Sequence, residues 1–136
     1  MAELSIGELA ARFGLATHVL RHWEDAGLLT PRRDAGGRRR YRADDVERVG
    51  VILIGKSVGF SLDEIRELFA QVADRSGRRR LLQAQHDRLT EHIARAEAAR
   101  AAIEHALDCT AEDVRTCPHF RTALNAALPA DPGHRP

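Results

Sequence analysis

Residues 5–27 read SIGELAARFGLATHVLRHWEDAG, a stretch that contains two short helical patterns separated by Gly14. Ser5 and Glu8 have the spacing of a capping box, in which each side chain binds the backbone amide of the other residue. Apolar residues then recur at helical spacing in both patterns, and Gly27 ends the second one. Two helices joined by a short glycine turn are typical of a helix-turn-helix, whose second helix presents its polar side to the DNA major groove. The residues of that second helix expected to contact DNA are Thr17, His18, Arg21 and His22.

Residues 32–42 read RRDAGGRRRYR, with six arginines, one acid and a glycine pair that predicts the turn of a hairpin. The net charge of the whole chain is only +1, so this positive field is local. Guanidinium groups bind phosphate oxygens, and a tyrosine hydroxyl can donate to one, as a DNA-gripping wing requires. A solvated basic loop is the alternative. The hairpin residues expected to contact DNA are Arg38, Arg39, Arg40 and Tyr41.

A second helix pair is predicted after the hairpin. Asp44 and Asp45 lie in the first turn of one helix, where acid favours the helix dipole, and Ser61 with Glu64 forms a second capping box for the next. The aromatic residues of this region lie on apolar stripes or beside caps, and we expect them in the core rather than on a base-stacking surface. They are Phe13, Trp23, Phe60 and Phe69.

A long helix without breakers is predicted from Arg78 to Cys109. Its seam positions alternate four and three residues apart, with His86 and Arg100 as polar interruptions. A run of roughly 45 Å, at about 1.5 Å per residue, is too long to be covered by a domain of about seventy residues, so we expect pairing with a second copy. The predicted dimerisation residues are Leu82, Leu89, Ile93, Ala96, Ile103 and Leu107.

The two cysteines, Cys109 and Cys117, flank a polar loop after the long helix. The sequence has no signal peptide and no apolar run long enough to span a membrane, so we expect a cytoplasmic protein that does not bind membranes. Thiols stay reduced in that compartment, where a cysteine pair is more often metal-binding or redox-active than a structural bridge.

Four segments together resemble the signature of MerR-type transcriptional regulators: residues 20–24, 27–29, 37–41 and 58–65. His22-Trp23 and Arg38 depart from the aromatic residues usual in that family. The resemblance implies an all-α fold with a small β-wing: a winged helix-turn-helix DNA-binding domain (1–74), a dimerisation helix forming an antiparallel coiled coil (75–108), and an effector loop with a short C-terminal sensory tail (109–136). It also implies a homodimer on an inverted repeat of double-stranded promoter DNA, which the protein distorts so that RNA polymerase can engage the promoter.

The cysteine loop resembles that of copper-efflux-type members of the family, including the proline after Cys117. This likeness implies a two-thiolate metal site that takes Cu(I) or Ag(I), since soft thiolates favour such ions. Divalent sensors of the family add a third cysteine at the start of the dimer helix, where this chain has Ser76-Gly77-Arg78.

Three alternatives stay open for the cysteines. They could sense redox state or electrophiles, they could bind zinc together with His119 or His105, or they could be inert residues of an effector-independent dimeric repressor. Catalysis is not expected, because the sequence has no nucleophile–base pairing, phosphate loop or paired carboxylates in a pocket-forming context.

Overall fold

The computed structural model describes residues 2–130, so residue 1 of the predicted DNA-binding domain and residues 131–136 of the predicted tail lie outside it. Contacts divide the chain into two compact units, with the boundary between Arg88 and Leu89. That boundary falls inside a helix, so the first turns of the predicted dimerisation helix belong to the N-terminal unit. The elements in chain order are α1 (Ile6–Phe13), α2 (Thr17–Asp25), β1 (Arg32–Arg33), β2 (Arg39–Arg40), α3 (Ala43–Ser57), α4 (Leu62–Ala70), α5 (Arg75–Asp108), a 3-10 turn (Val114–Thr116) and α6 (Pro118–Ala127).

Both predicted capping boxes are confirmed. At the start of α1 the Ser5 hydroxyl accepts from the Glu8 amide at 3.1 Å, and the Glu8 carboxylate accepts from the Ser5 amide at 3.2 Å. Ser61 and Glu64 repeat this arrangement at α4, at 3.1 and 3.0 Å. The bonds from the Ser5 backbone and side chain lower the pKa of Glu8, because they favour its charged form. The residues that begin these helices are therefore fixed by local chemistry.

The core of the N-terminal unit lies between the first four helices and the hairpin. Trp23 and Phe60 are buried in it, while Phe13 and Phe69 are partly buried against it, which agrees with their predicted core role. An isolated bridge between Leu4 and Tyr41 ties the N-terminal segment to the end of β2. The fully buried members of this core include Leu9, Leu20, Leu28, Tyr41, Val49 and Ile52.

A polar junction attaches the first turns of α5 to the N-terminal unit. Gln85, the one buried polar side chain recorded among residues 2–130, donates to the Val58 carbonyl at 2.8 Å and accepts from Arg88 Nε at 2.9 Å. Arg88 also pairs with Glu64 at the N-terminus of α4. The backbone approaches Gln85 closely at Gly59, whose φ of +89° and lack of a Cβ suit this position. The end of α3, the start of α4 and α5 therefore meet at two hydrogen-bonded side chains, Gln85 and Arg88.

The predicted seam of α5 is exposed along its whole length in the single chain. The exposed fraction of its large apolar side chains rises from 41% at Leu89 to 78% at Leu107. Such a row of leucine and isoleucine side chains is stabilised only when another surface covers it. No helix within residues 2–130 is both long and apolar enough to cross a membrane.

We expect Leu89→Asp and Ile103→Asp each to weaken self-association at least tenfold, since burying one leucine side chain is worth about 2 kcal/mol and a carboxylate in the seam opposes burial. Ala98→Asp, on the exposed side of α5 opposite the seam, introduces the same side chain as the control and should leave association unchanged. Sedimentation equilibrium measures the effect. A wild-type chain that stays monomeric at micromolar concentration would contradict the predicted dimer.

Candidate nucleic-acid interface and thiol site

The exposed side of α2 carries the residues that the sequence predicted to contact DNA. Leu20 and Trp23 anchor the opposite side in the core. His18, Arg21 and His22 are therefore exposed together, while Thr17 at the first position of the helix is half-buried. Side chains three and four residues apart share one side of a helix, so these groups form a single polar surface. Its contact with DNA stays a prediction.

The hairpin turn is organised by one carboxylate, Asp34. Its Oδ1 accepts from the backbone amides of Gly36 and Arg38, both at 2.9 Å, and its Oδ2 accepts from Arg40 Nε at 3.2 Å. These bonds, with that from the Arg38 amide the largest contribution, lower the pKa of Asp34. Gly37 has a φ of +78°, which the tight turn requires. The predicted glycine turn is confirmed, and the Asp34 carboxylate holds the turn and β2 together by hydrogen bonds.

A second carboxylate, Glu24 on α2, holds the other side of the wing. Arg32 pairs with Arg40 and Arg33 with Arg39 across the two strands, so Arg33 and Arg39 point to the same side. Arg39 Nε donates to Glu24 Oε2 at 2.6 Å, and Arg33 lies 3.4 Å from Oε1. The Glu24 partner raises the pKa of Arg39 further above its ordinary value. The recognition helix and the wing are thus joined by an ion pair.

The wing arginines consequently fall into two groups. Arg39 and Arg40 are half-buried and use Nε within the protein, which leaves their terminal nitrogens for another partner. The guanidinium groups of Arg32 and Arg38 are exposed and form no hydrogen bond or ion pair with any residue from 2 to 130. Arg21 on α2 is likewise exposed and unpaired within that range. These three exposed cations are hydrogen-bond donors available to DNA phosphates.

The prediction that Tyr41 would reach DNA is wrong for this structure. Tyr41 is 0% exposed, because its backbone pairs with Leu4 and turns the ring into the core. Its hydroxyl has no hydrogen-bond partner among the described residues. Burial raises the pKa of Tyr41, and the nearby Glu24 raises it further. The hydroxyl therefore has no route to a phosphate in this conformation.

Sequence reasoning missed Glu24, Asp34 and Arg32. Arg32 was passed over although it stands in the same basic run as the chosen arginines. Asp34 could have been suspected because it is the one carboxylate inside that run, whereas Glu24 has no such signal, since Asp25, Asp44 and Asp45 are nearer to the run along the chain. Only the strand register and the position of α2, however, show which arginines Glu24 and Asp34 hold.

The two cysteines are brought together at the start of α6. Cys117 is the N-cap residue of that helix and is buried, whereas Cys109 follows the end of α5 and is partly exposed. The Phe120 amide, the Cys109 thiol and the His119 amide at the start of α6 favour the charged form of Cys117 and lower the pKa of its thiol. Both thiols are free.

A cavity of about 340 Å³ opens beside the thiols. The rings of His105 and His119 meet at its wall, with their centroids 3.8 Å apart and their planes at 68°. Within residues 2–130, no group of three or more His, Cys, Asp and Glu side chains is arranged to hold a metal ion. The cavity is lined by Ala102, His105, Ala106, Cys109, Val114, Cys117, His119, Phe120 and Ala123.

The helix pair, the basic wing and their polar surface define a winged helix-turn-helix protein of the DNA-binding class. Residues 4–72 match the family profile described as "MerR HTH family regulatory protein", and residues 46–106 match the profile "MerR, DNA binding". The chain belongs to the MerR family of helix-turn-helix regulators. The all-α fold with a small wing is confirmed.

Three relatives illustrate the likeness. The HTH-type transcriptional activator TipA of Streptomyces coelicolor is 33% identical over 84% of this chain, which spans only 45% of TipA's own length. The HTH-type transcriptional regulator HmrR of Rhizobium leguminosarum is 31% identical over 85% of this chain and 93% of its own. The structure of PbrR691 from Ralstonia metallidurans, in complex with lead(II), is 25% identical, covers 88% of this chain and 98% of its own, and has a TM-score of 0.68. The relatives are transcription regulators and not enzymes.

Replacing Arg38 by alanine should weaken binding to all DNA sequences alike and lower the salt-dependence slope by about one unit, since one phosphate contact is lost. Arg32→Ala should behave in the same way. Arg121→Ala, an exposed arginine on α6 in the other unit, is the control and should leave the slope unchanged. Binding isotherms at several salt concentrations measure it, and an altered base preference with an unchanged slope would show that Arg38 reads bases instead.

Glu24→Ala should loosen the wing, because Arg33 and Arg39 lose their shared partner. We expect hydrogen exchange at the amides of the hairpin turn to rise several-fold. Asp25→Ala removes one carboxylate from the same helix end and serves as the matched control, since Asp25 is exposed and has no hydrogen bond or ion pair with the described residues. Equal exchange rates in the two variants would contradict the role assigned to Glu24.

Proposed function

We propose that the protein is a transcription regulator that binds an inverted repeat in promoter DNA as a homodimer. What carries this proposal is the combined surface of α2 and the wing, on which the guanidinium groups of Arg21, Arg32 and Arg38 have no partner among residues 2–130. The exposed seam of α5 supplies the surface for the second copy, and two-fold symmetry of a dimer matches an inverted repeat.

The dimer acts on the promoter by deforming it. Following the resemblance to MerR-type regulators, the operator lies within a promoter whose spacer is too long, and effector binding lets the dimer bend and untwist that DNA. RNA polymerase can then engage both promoter elements. Deformation of this kind costs a few kcal/mol, on the order of 1–6, so part of the operator specificity rests on the stiffness of the sequence.

The effector is a monovalent soft metal ion held by Cys109 and Cys117. The support is the contact between two reduced thiols at the N-terminus of α6, where backbone amides favour the anionic form of Cys117. Two thiolates suit Cu(I) or Ag(I), which accept two sulfur ligands. The structure of PbrR691, a structural relative, was determined in complex with lead(II). A protein of the same fold therefore binds a metal ion.

We expect the reduced full chain to bind about one Cu(I) or Ag(I) per chain, with release of protons because thiols of pKa near ~8.5 must ionise to coordinate. Titration followed by ultraviolet absorbance, repeated in two buffers of different ionisation enthalpy, measures both quantities.

Cys109→Ser and Cys117→Ser should each abolish the transcriptional response to metal and leave operator binding intact, because the loop lies outside the unit that carries the wing. Ser76→Ala is the control with both thiols present. A response to peroxide or zinc in place of Cu(I) would make the protein a redox or zinc sensor. An unchanged response in the double serine variant would remove the cysteine site, and output that ignores metals and oxidants would indicate an effector-independent repressor.

A further inference from the structure

The cavity beside the cysteines is larger than a metal ion requires. Its volume of about 340 Å³ lies within the range of small-molecule sites, which run from about 300 to 1,000 Å³. All of its lining residues belong to the C-terminal unit, and they come from α5, the 3-10 turn, α6 and the cysteines beside these elements. An ion held by two sulfur atoms would leave most of this volume unfilled.

The cavity lies on the side of α5 that faces away from the predicted dimer seam. The seam positions in this stretch are Arg100, Ile103 and Leu107. The coiled-coil repeat places His105, which lines the cavity, directly opposite the seam, and it places Ala102 well away from it. A second copy bound along the seam would therefore leave the cavity accessible to a ligand.

The walls of the cavity are apolar and rich in rings. Alanine methyl groups, the Val114 side chain and the Phe120 ring line it, together with the imidazole rings of His105 and His119. Val114 is 54% and Phe120 37% exposed in the single chain, so a bound apolar compound would remove their surface from water. Aromatic rings pack against one another in edge-to-face or offset contact, as the two imidazoles already do, and this favours an aromatic ligand.

The imidazole nitrogens are the groups that would orient such a ligand. Neither His105 nor His119 has a hydrogen bond or an ion pair with any residue from 2 to 130. A neutral imidazole has one donor and one acceptor nitrogen, so it accepts from a hydroxyl group, whereas thiols are weak hydrogen-bonding groups.

We propose that this cavity binds a neutral aromatic alcohol of one or two rings, without formation of a covalent bond. Its rings would pack between Phe120 and the alanine side chains of α5 and α6, and its hydroxyl group would donate to an imidazole nitrogen. The site goes beyond the proposed metal response and does not depend on it. Because the ligand would contact both helices, its binding would stabilise the packing of α6 against α5.

The test uses 2-naphthol, naphthalene and decahydro-2-naphthol, each at equilibrium dialysis against the reduced full chain. We expect one saturable site per chain for 2-naphthol. Naphthalene lacks the hydroxyl group and should bind about fivefold more weakly, because one hydrogen bond is lost. A nonspecific apolar surface would instead prefer naphthalene, the more apolar compound. Decahydro-2-naphthol keeps the hydroxyl group but has no aromatic ring, so it should also bind several-fold more weakly.

Ala123→Phe fills the cavity from α6 and should weaken 2-naphthol binding roughly tenfold or more, since the added ring occupies the space of the ligand. Asn125→Phe places the same ring on an exposed position of α6 that does not line the cavity, and should leave binding unchanged. Ala102→Leu fills the cavity from α5 and replaces Ala123→Phe if that variant loses helicity by circular dichroism. Hydrogen exchange of the α6 amides should slow when 2-naphthol is added to the wild type, but not when it is added to a filled variant.

Replacing His105 and His119 together by phenylalanine keeps two rings and removes the nitrogens, so it should abolish the preference for 2-naphthol over naphthalene. Absence of saturable binding to the wild type, equal binding to the filled variants, or a preference for naphthalene would each overturn the proposal.

Titration with Ag(I) separates this proposal from the metal proposal. If Ag(I) binds the filled variants as it binds the wild type, the two sulfur atoms are intact, and the loss of 2-naphthol binding belongs to the cavity alone. Wild-type protein that binds 2-naphthol but not Ag(I) would refute the metal proposal and support this one. Wild-type protein that binds Ag(I) but not 2-naphthol would do the reverse.

Discussion

The ion pair between Glu24 and Arg39 is the interaction on which the DNA-facing surface depends. It joins the helix that would enter the major groove to the strand that would follow the phosphates, and its two side chains are each about three-quarters buried. A wing of two-residue strands has little stability of its own, because so short a hairpin buries almost no apolar surface. Glu24 and Asp34 stabilise the wing through ion pairs and hydrogen bonds that so short a pair of strands cannot provide. The arginines that these two acids do not bind form the outer surface.

Most of the fold follows from local signals in the sequence. Capping boxes fix the starts of α1 and α4 within three residues, and the glycine pair fixes the turn of the wing. The interactions that the sequence did not reveal are those between distant segments. In the sequence Tyr41 looks like a polar residue of the wing, but in the structure its backbone pairs with Leu4 and its ring lies in the core. In the sequence Gln85 looks like a surface residue of a long helix, but in the structure the backbone at Gly59 lies against its side chain.

The thiol site likewise combines features that the sequence predicts with features that depend on the fold. The spacing of Cys109 and Cys117 and the proline after the second cysteine were enough to propose a thiolate pair from the sequence. The N-cap position of Cys117 and the lowering of its pKa by the amides of the first turn depend on where α6 begins. The cavity depends on small side chains at Ala102, Ala106 and Ala123, which in a sequence look like ordinary helix formers. A cavity leaves no periodic pattern in a sequence, because it forms where neighbouring side chains do not fill the space between helices.

An effector changes the geometry of DNA only if it binds two arrangements of the protein with different affinity. Cys109 follows the last turn of α5, and the first half of the same helix carries Gln85 and Arg88, which hold it to the end of α3 and to Glu64 of α4. The continuous backbone of α5 connects Cys109 with Gln85 and Arg88. Its apolar seam is exposed in one chain, and in the proposed homodimer the second copy would cover it. The two-state element that an effector would bias is therefore the packing of the paired helices, and the junction at Gln85 is the point at which that packing meets the DNA-binding unit.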